Sequence, residues 1–313
     1  MTGASPVPDP GPNLEDLPLV RSRTVGSVRI HAIEAGLQKL DGGAMFGVVP
    51  KPLWERRIPA DERNRIPLAL RCLLIEAPDA LILVDTGIGN KEDEKFQDIY
   101  GVRNEGSPTR LEDGIRAAGF DPGALDLVVL THLHFDHAGG ATRMRDDGEI
   151  VPSFPGVPHV VQEQEISFAA TPNERIRASY LERNLAPLER AGLWRPVDGE
   201  HELTRGVRLV PTPGHTPHHQ SVLIRDGDES AFYLADLCPT AAHVPLPWIM
   251  GYDLEPLVTL ETKRAIWERA RAEGWLFVFE HDPVIPWGFL REDGRRVVPV
   301  EEPEGDADGA PGR

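Results

Sequence analysis

His132-Leu133-His134-Phe135-Asp136-His137 sets four metal-ligand side chains beside one another, just after the apolar run Leu127-Val128-Val129-Leu130. The run reads as a buried strand. Residues two apart on extended backbone share a face, so His132 and His134 should point the same way and grip one ion. Ala138-Gly139-Gly140 signals a turn that re-aims Asp136 and His137 toward a second position. Three imidazoles and a carboxylate packed this tightly repel one another when protonated and lose solvation when buried, unless a cation lies between them. A solvent-exposed His-rich tract would need neither the strand before nor the glycines after. The stretch predicts a site for two metals.

Other residues in the chain end in the same way. Ala80 to Val84 stops at Asp85, Val207 to Val210 leads to His215, Ala231 to Ala235 stops at Asp236, and Leu276 to Glu280 stops at His281. Strand ends gather along one edge of a sheet, so residues far apart in sequence can converge there. Taken singly each is a local hydrogen-bonding residue; together they form a candidate constellation.

The intervening segments predict helices packed outside sheets. Val25 to Ile33 and Leu68 to Glu76 read as strands. Ser107-Pro108 should open a helix ending at Gly119, and Asn173 to Gly192 a helix interrupted at Pro187, a candidate lid or dimer contact. Leu257 to Glu273 reads as a helix burying Leu257, Leu260, Ile266, Trp267 and Ala270 and stopped by Gly274. The expected class is α/β, with residues 21–298 as one domain, residues 1–20 as a flexible arm without secretory-signal character, and residues 299–313 as a disordered acidic tail.

Composition bounds the partners. A formal charge of −17 disfavours nucleic acid backbones and anionic membranes, which want a basic face. No apolar run approaches the roughly 18 residues that span a bilayer. Cys72 and Cys238 lie in separate apolar runs, too few for a disulfide framework, and a reducing cytoplasm is expected.

The pattern His132-x-His134-x-Asp136-His137 with His215, Asp236 and His281 in that order resembles the metallo-β-lactamase superfamily. The resemblance implies a four-layer αββα sandwich with the site between its halves. It also implies that His132, His134 and His215 hold one metal, that Asp136, His137 and His281 hold another, and that Asp236 bridges both. Asp85 matches an outer aspartate that orients a ligand histidine, and His219 is expected to support the ligands in a similar way. His132 to Gly140 and His215-Thr216-Pro217-His218-His219-Gln220-Ser221 look most like N-acyl homoserine lactone lactonases, and Gly43 to Pro50 resembles a related quorum-quenching group. The chain departs from those enzymes at Pro239, where they carry a tyrosine, and at His218, where glycine is customary.

Imidazole and carboxylate donors suit Zn²⁺, with Fe, Mn or Co as alternatives. The expected chemistry is hydrolysis of a lactone or carboxylic ester by a metal-bridging hydroxide, with Asp136 and Asp236 as the catalytic carboxylates. A phosphotriesterase or a thioesterase resembling glyoxalase II could use the same site. The substrate is expected to be a small molecule with an apolar portion. Its pocket residues are expected to be Met45, Phe46, Phe135, Trp248 and Met250, with Asp41 to Gly47 as a glycine-rich loop exposing Met45 and Phe46.

Overall fold

The computed structural model describes residues 12–300. The first sheet has seven strands in the order β1-β2-β3-β4-β5-β8-β9: β1 (Val20–Val25), β2 (Val28–Asp41), β3 (Arg65–Ala77), β4 (Ala80–Val84), β5 (Leu127–Val129), β8 (His159–Gln162) and β9 (Trp194–Val197). A small hairpin, β6 (Thr142–Met144) and β7 (Ile150–Pro152), stands apart from it. The second sheet runs in chain order through β10 (His201–Thr204), β11 (Val207–Pro211), β12 (Gln220–Asp226), β13 (Glu229–Tyr233), β14 (Leu276–Val278), β15 (Trp287–Leu290) and β16 (Val297–Pro299). Helices α1 (Gly42–Phe46), α2 (Lys51–Trp54), α3 (Glu94–Tyr100), α4 (Arg110–Ala117), α5 (Phe135–Ala138), α6 (Glu163–Ala170), α7 (Glu182–Arg190) and α8 (Pro256–Glu273) complete the chain.

The central strands are apolar on both faces because both faces are covered, as in Leu73-Leu74-Ile75 of β3. Leu73 and Ile75 meet Ile82, Val222 and Val278 in the core between the sheets. Leu74 points the other way, into a layer closed by Leu111 and Ile115 of α4. On the far side Phe232 and Phe277 pack against Ile266, Trp267 and Ala270 of α8. The result is the expected four-layer αββα sandwich. Among the described residues no helix is long and apolar enough to cross a membrane.

Several local expectations are corrected. The predicted strand Val25 to Ile33 is divided by the turn at Gly26, where φ is +60°, and β2 continues for 14 residues with a bulge between Glu34 and Leu37. The glycine-rich segment is the helical turn α1, capped by Asp41, whose carboxylate accepts from the Ala44 amide. The cap of α4 is Thr109, not Ser107. Only Glu182 to Arg190 of the expected long helix is helical, and Pro187 lies inside it. Leu257 is 76% exposed, because it lies in the first turn of α8, before the buried face begins at Thr259. Of the expected arm, residues 12–20 are anchored, Leu14 packing on Leu37 and Ala69, and Val20 begins β1. Residues 1–11, and all of the expected tail beyond Val300, lie outside the described residues; Pro299 ends β16.

Candidate metal centre

Donor side chains reach one cleft from both sheets. Past β5 the chain leaves the sheet in a short irregular stretch, extended at His134, and then turns into α5, so His132 and His134 project from the strand exit, and Asp136 and His137 from a helical turn. Gly139 and Gly140 let the loop after β4 close on that turn. A Cβ on Gly139 would lie 2.4 Å from the Ile88 carbonyl oxygen, and one on Gly140 would lie 2.0 Å from that of Thr86. From the second sheet come His215 after β11, Asp236 after β13 and His281 after β14. Asp85 and Ala235, the latter directly before Asp236, hold positive φ of 55° and 45°, backbone strain of the kind stored at functional sites.

Two donor groups result, each with its ligand atoms within 4.8 Å of one another: His132, His134, His215 and Asp236 in one, and Asp136, His137 and His281 in the other. His215 Nε2 lies 3.1 Å from His134 Nδ1 and 3.0 Å from Asp236 Oδ2. His281 Nε2 lies 3.2 Å from His137 Nε2, 3.1 Å from Asp236 Oδ1 and 3.8 Å from Asp136 Oδ2. Asp236 faces both groups: Oδ1 lies toward His281, and Oδ2 lies between His215 and His137, 3.5 Å from His137 Nε2. All seven side chains are buried.

The nitrogens not aimed into the cleft are held by the surrounding protein. His215 Nδ1 donates to Asp253 Oδ1 at 3.0 Å, and His281 Nδ1 to the Ala69 carbonyl at 2.7 Å. His137 Nδ1 lies 3.1 Å from both Asp85 Oδ2 and Glu280 Oε2. Asp85 also accepts from the Thr131 amide and hydroxyl, both at 2.8 Å, which fixes the residue before His132. Gln38 Nε2 donates to Asp136 Oδ2 at 2.6 Å from a fully buried position on β2. Such partners fix ring orientation and leave the opposite nitrogen free to bind an ion.

Burial, and then the neighbouring imidazoles His137, His134 and His215, hold His132 well below the ordinary histidine range. His134 is lowered in the same way. Burial opposes protonation of His281 too, but Asp236 and Glu280 outweigh it and push that ring up to about 9. Burial first, opposed by His137 and reinforced by Asp85, pushes Glu280 up to about 8.

These donors fit divalent cations. His134 and His215 turn ring nitrogens on each other, as do His137 and His281, while His132 Nε2 and Asp236 Oδ1 are buried with no hydrogen-bond partner among the described residues. Buried polar atoms left in that condition are costly unless something of opposite charge lies among them. Nitrogen and carboxylate oxygen are the donors that zinc-like ions take.

The family model described as the metallo-beta-lactamase superfamily matches residues 66–281, more than half of the chain. The chain belongs to the metallo-β-lactamase superfamily. It is 32% identical over 168 residues to an N-acyl homoserine lactonase of Bacillus cereus, a match covering 51% of this chain and 60% of that relative's length. A probable metal-dependent hydrolase from Staphylococcus aureus superposes with a TM-score of 0.83 at 30% identity, covering 90% of this chain and 99% of the other. AidC, a dizinc quorum-quenching lactonase, superposes with a TM-score of 0.73 over 90% of this chain and 97% of its own. At 19% identity that likeness is one of fold.

The cleft opens into a pocket of about 370 Å³, with His134, Asp136, His215, Asp236 and His281 at its base. Met45, Phe135 and Met250 line it, joined by Leu40, Leu68 and Leu254. Phe46 and Trp248 do not. The Phe46 ring is fully buried, stacked at 5.3 Å on Trp54 and 4.3 Å on His243, with Trp248 edge-on to it. Both side chains brace the wall that carries Met45. His219 lies behind the donors, its ring 5.2 Å from that of His132 and 6.1 Å from that of His215. Its Nδ1 bonds the Thr212 hydroxyl at 2.8 Å and carbonyl at 3.2 Å, and among the described residues it makes no hydrogen bond to a donor of the cleft. His218 is half-buried against Phe168, away from both donor groups. Asp253, Glu280 and Gln38 went unread in the sequence. Only Glu280 carried a signal, its place beside His281.

Proposed function

We propose that this chain is a binuclear metal-dependent hydrolase that opens a lactone or cleaves a carboxylic ester of a small molecule with an apolar portion. His132, His134 and His215 hold one ion, Asp136, His137 and His281 hold the other, and Asp236 is shared. The observation that carries this reading is the Asp236 carboxylate, with Oδ2 at 3.0 Å from His215 and Oδ1 at 3.1 Å from His281. The donor set favours Zn²⁺, with Fe, Mn and Co as substitutes. When bound, a divalent pair supplies an activated water and a Lewis acid for the ester carbonyl.

The protein's own groups do the rest. Asp136, at the pocket base with Oδ2 held by Gln38, is placed to take the proton of the attacking water and return it to the leaving oxygen. Asp236 holds the two donor groups in one register, and Asp253, Asp85 and Glu280 keep His215 and His137 from rotating away. Met45, Phe135 and Met250 offer apolar contact to an acyl or aryl portion and exclude water from the reacting end. The lactonase activity named for the B. cereus relative supports the choice of bond. The buried, unpaired Cys72 and Cys238 support a reducing compartment such as the cytoplasm.

Elemental analysis of protein purified without chelators, followed by assay on acyl homoserine lactones, aryl esters, organophosphate triesters and glutathione thioesters, tests the reading. Two equivalents of metal with turnover of a lactone or ester are expected. One equivalent or fewer refutes the binuclear centre, and turnover confined to triesters or thioesters refutes the bond assignment.

A further inference from the structure

The tyrosine found three residues past the shared aspartate in lactonases is replaced here by Pro239, which is buried and whose carbonyl accepts from the His281 amide at 3.0 Å. No side chain at that position can donate to substrate. The pocket nevertheless contains phenols from elsewhere, Tyr100 at the end of α3 and Tyr252 on the loop before α8. Neither hydroxyl makes a hydrogen bond among the described residues, although both side chains line the cavity whose base is Asp136, Asp236 and His281.

We propose that Tyr100 is a catalytic residue, its hydroxyl donating a hydrogen bond to the ester oxygen on which negative charge develops. This assignment rests on the hydrolase reading above. Tyr100 is favoured over Tyr252 because it is held in place before substrate arrives. Its ring packs at 4.4 Å from Phe96 and 5.1 Å from Phe135, the residue next to Asp136. The backbone just beyond it is pinned to β2, the Arg103 amide donating to the Leu37 carbonyl at 2.9 Å and the Leu37 amide to the Arg103 carbonyl at 2.7 Å. Tyr252 is 38% exposed and, among the described residues, has no aromatic ring packed against it. A donor fixed in advance costs no reorganisation as charge builds, and this is the condition under which one hydrogen bond lowers a barrier most.

Tyr100 keeps its proton throughout. Burial, and then the nearby Asp136, raise the phenol above its ordinary range, so the hydroxyl is neutral at physiological pH and disfavours becoming phenolate. The proton of the attacking water therefore travels by another group, and Tyr100 contributes only the O–H dipole.

The test compares wild type, Tyr100→Phe and Tyr252→Phe, each with metal content measured, on whichever lactone or ester the wild type hydrolyses. Tyr100→Phe is expected to lower kcat by about 100-fold, the size typical of losing one donor to a developing oxyanion, with KM changed less than about threefold and with metal content retained. Its kcat should fall by the same factor at every pH, because a group that does not titrate leaves the profile's shape alone. A Tyr100→Phe enzyme with undiminished kcat overturns the assignment, as does a loss carried by Tyr252→Phe instead, or one that follows metal content. No turnover by metal-replete wild type overturns the hydrolase reading and this assignment with it, an outcome distinct from equal turnover by wild type and Tyr100→Phe.

Discussion

Asp253 shows how a single carboxylate tunes the centre without entering it. It is buried, accepts the Nδ1 proton of His215, and thereby leaves Nε2 as the lone-pair nitrogen facing Asp236. Asp253→Ala removes that acceptor and lets the ring rotate. The expected result is a metal affinity about 10- to 100-fold weaker, read by competition with a chromogenic chelator, while the variant still folds. Unchanged affinity would mean that the ring is fixed by packing alone. Asp253 was not legible in the sequence, because it is 38 residues from His215 and meets it only through the way the loop before α8 folds back. That approach is close: the Leu254 and Glu255 amides donate to the carbonyls of His215 and Gly214, and a Cβ on Gly214 would lie 2.3 Å from Thr259 Oγ1.

Individual strands carry their own acid sensitivity. His159 begins β8, in register with Val128 of β5, and its ring is fully buried with Nδ1 donating to the Val157 carbonyl at 2.9 Å. Burial pulls this histidine down to about 4. A folded pKa below the unfolded value of about 6.5 means that the unfolded chain takes up the proton first as pH falls. The contribution of neutral His159 is therefore complete above pH 6.5 and is lost as pH falls toward 4, by about 3 kcal/mol at most. His159→Phe should flatten the fall in stability over that window relative to wild type, measured by urea unfolding at several pH values. Subtracting one protein from the other cancels the titration of the donor histidines they share, and parallel curves would disprove the effect.

Elements were legible where local pattern and burial agreed, and illegible where partners came from a distance. The donors were readable because each follows a short apolar run or the tight turn after one, where length and flanking Gly or Pro mark the end of a strand. Met45 and Phe46 were harder. Adjacent large apolar residues among glycines read as an exposed tip, yet Phe46 stacks between Trp54 and His243, 8 and 197 residues away in sequence. Lys263 adds a further distant tie. Its buried ammonium donates to the carbonyls of His243, Pro245 and Trp248, holding from α8 the segment that braces Phe46. The helix at Ser107 was misplaced by two residues because Ser and Thr are both good caps; it is the Thr109 hydroxyl that accepts from the Glu112 amide.

At the level of the whole molecule, seven donors packed into one cleft set the stability of the metal-free protein against that of the loaded one. Removing the ions leaves imidazoles and carboxylates facing one another without a counter-charge, and withdraws the binding free energy from the folded state alone. With free metal at about a thousand times its dissociation constant, that linkage is worth about 4 kcal/mol, which corresponds to a fall in Tm of roughly 6 °C for a chain of this size. Scanning calorimetry with and without a strong chelator reads it, and equal Tm values would refute a centre formed only in the folded state. The layer architecture was legible earlier than these energetics, because the order of donors along the chain resembles one superfamily's pattern and the match over residues 66–281 bears it out.

His132, His134, Asp136 and His137 hang from one sheet, and His215, Asp236 and His281 from the other. The Ala69 amide and carbonyl on β3 both clasp His281 across the gap. On the proposed two-metal reading, ion release is therefore expected to gauge the seam: a substitution that parts the two slabs, even far from the cleft, should loosen bound cations before either slab unravels.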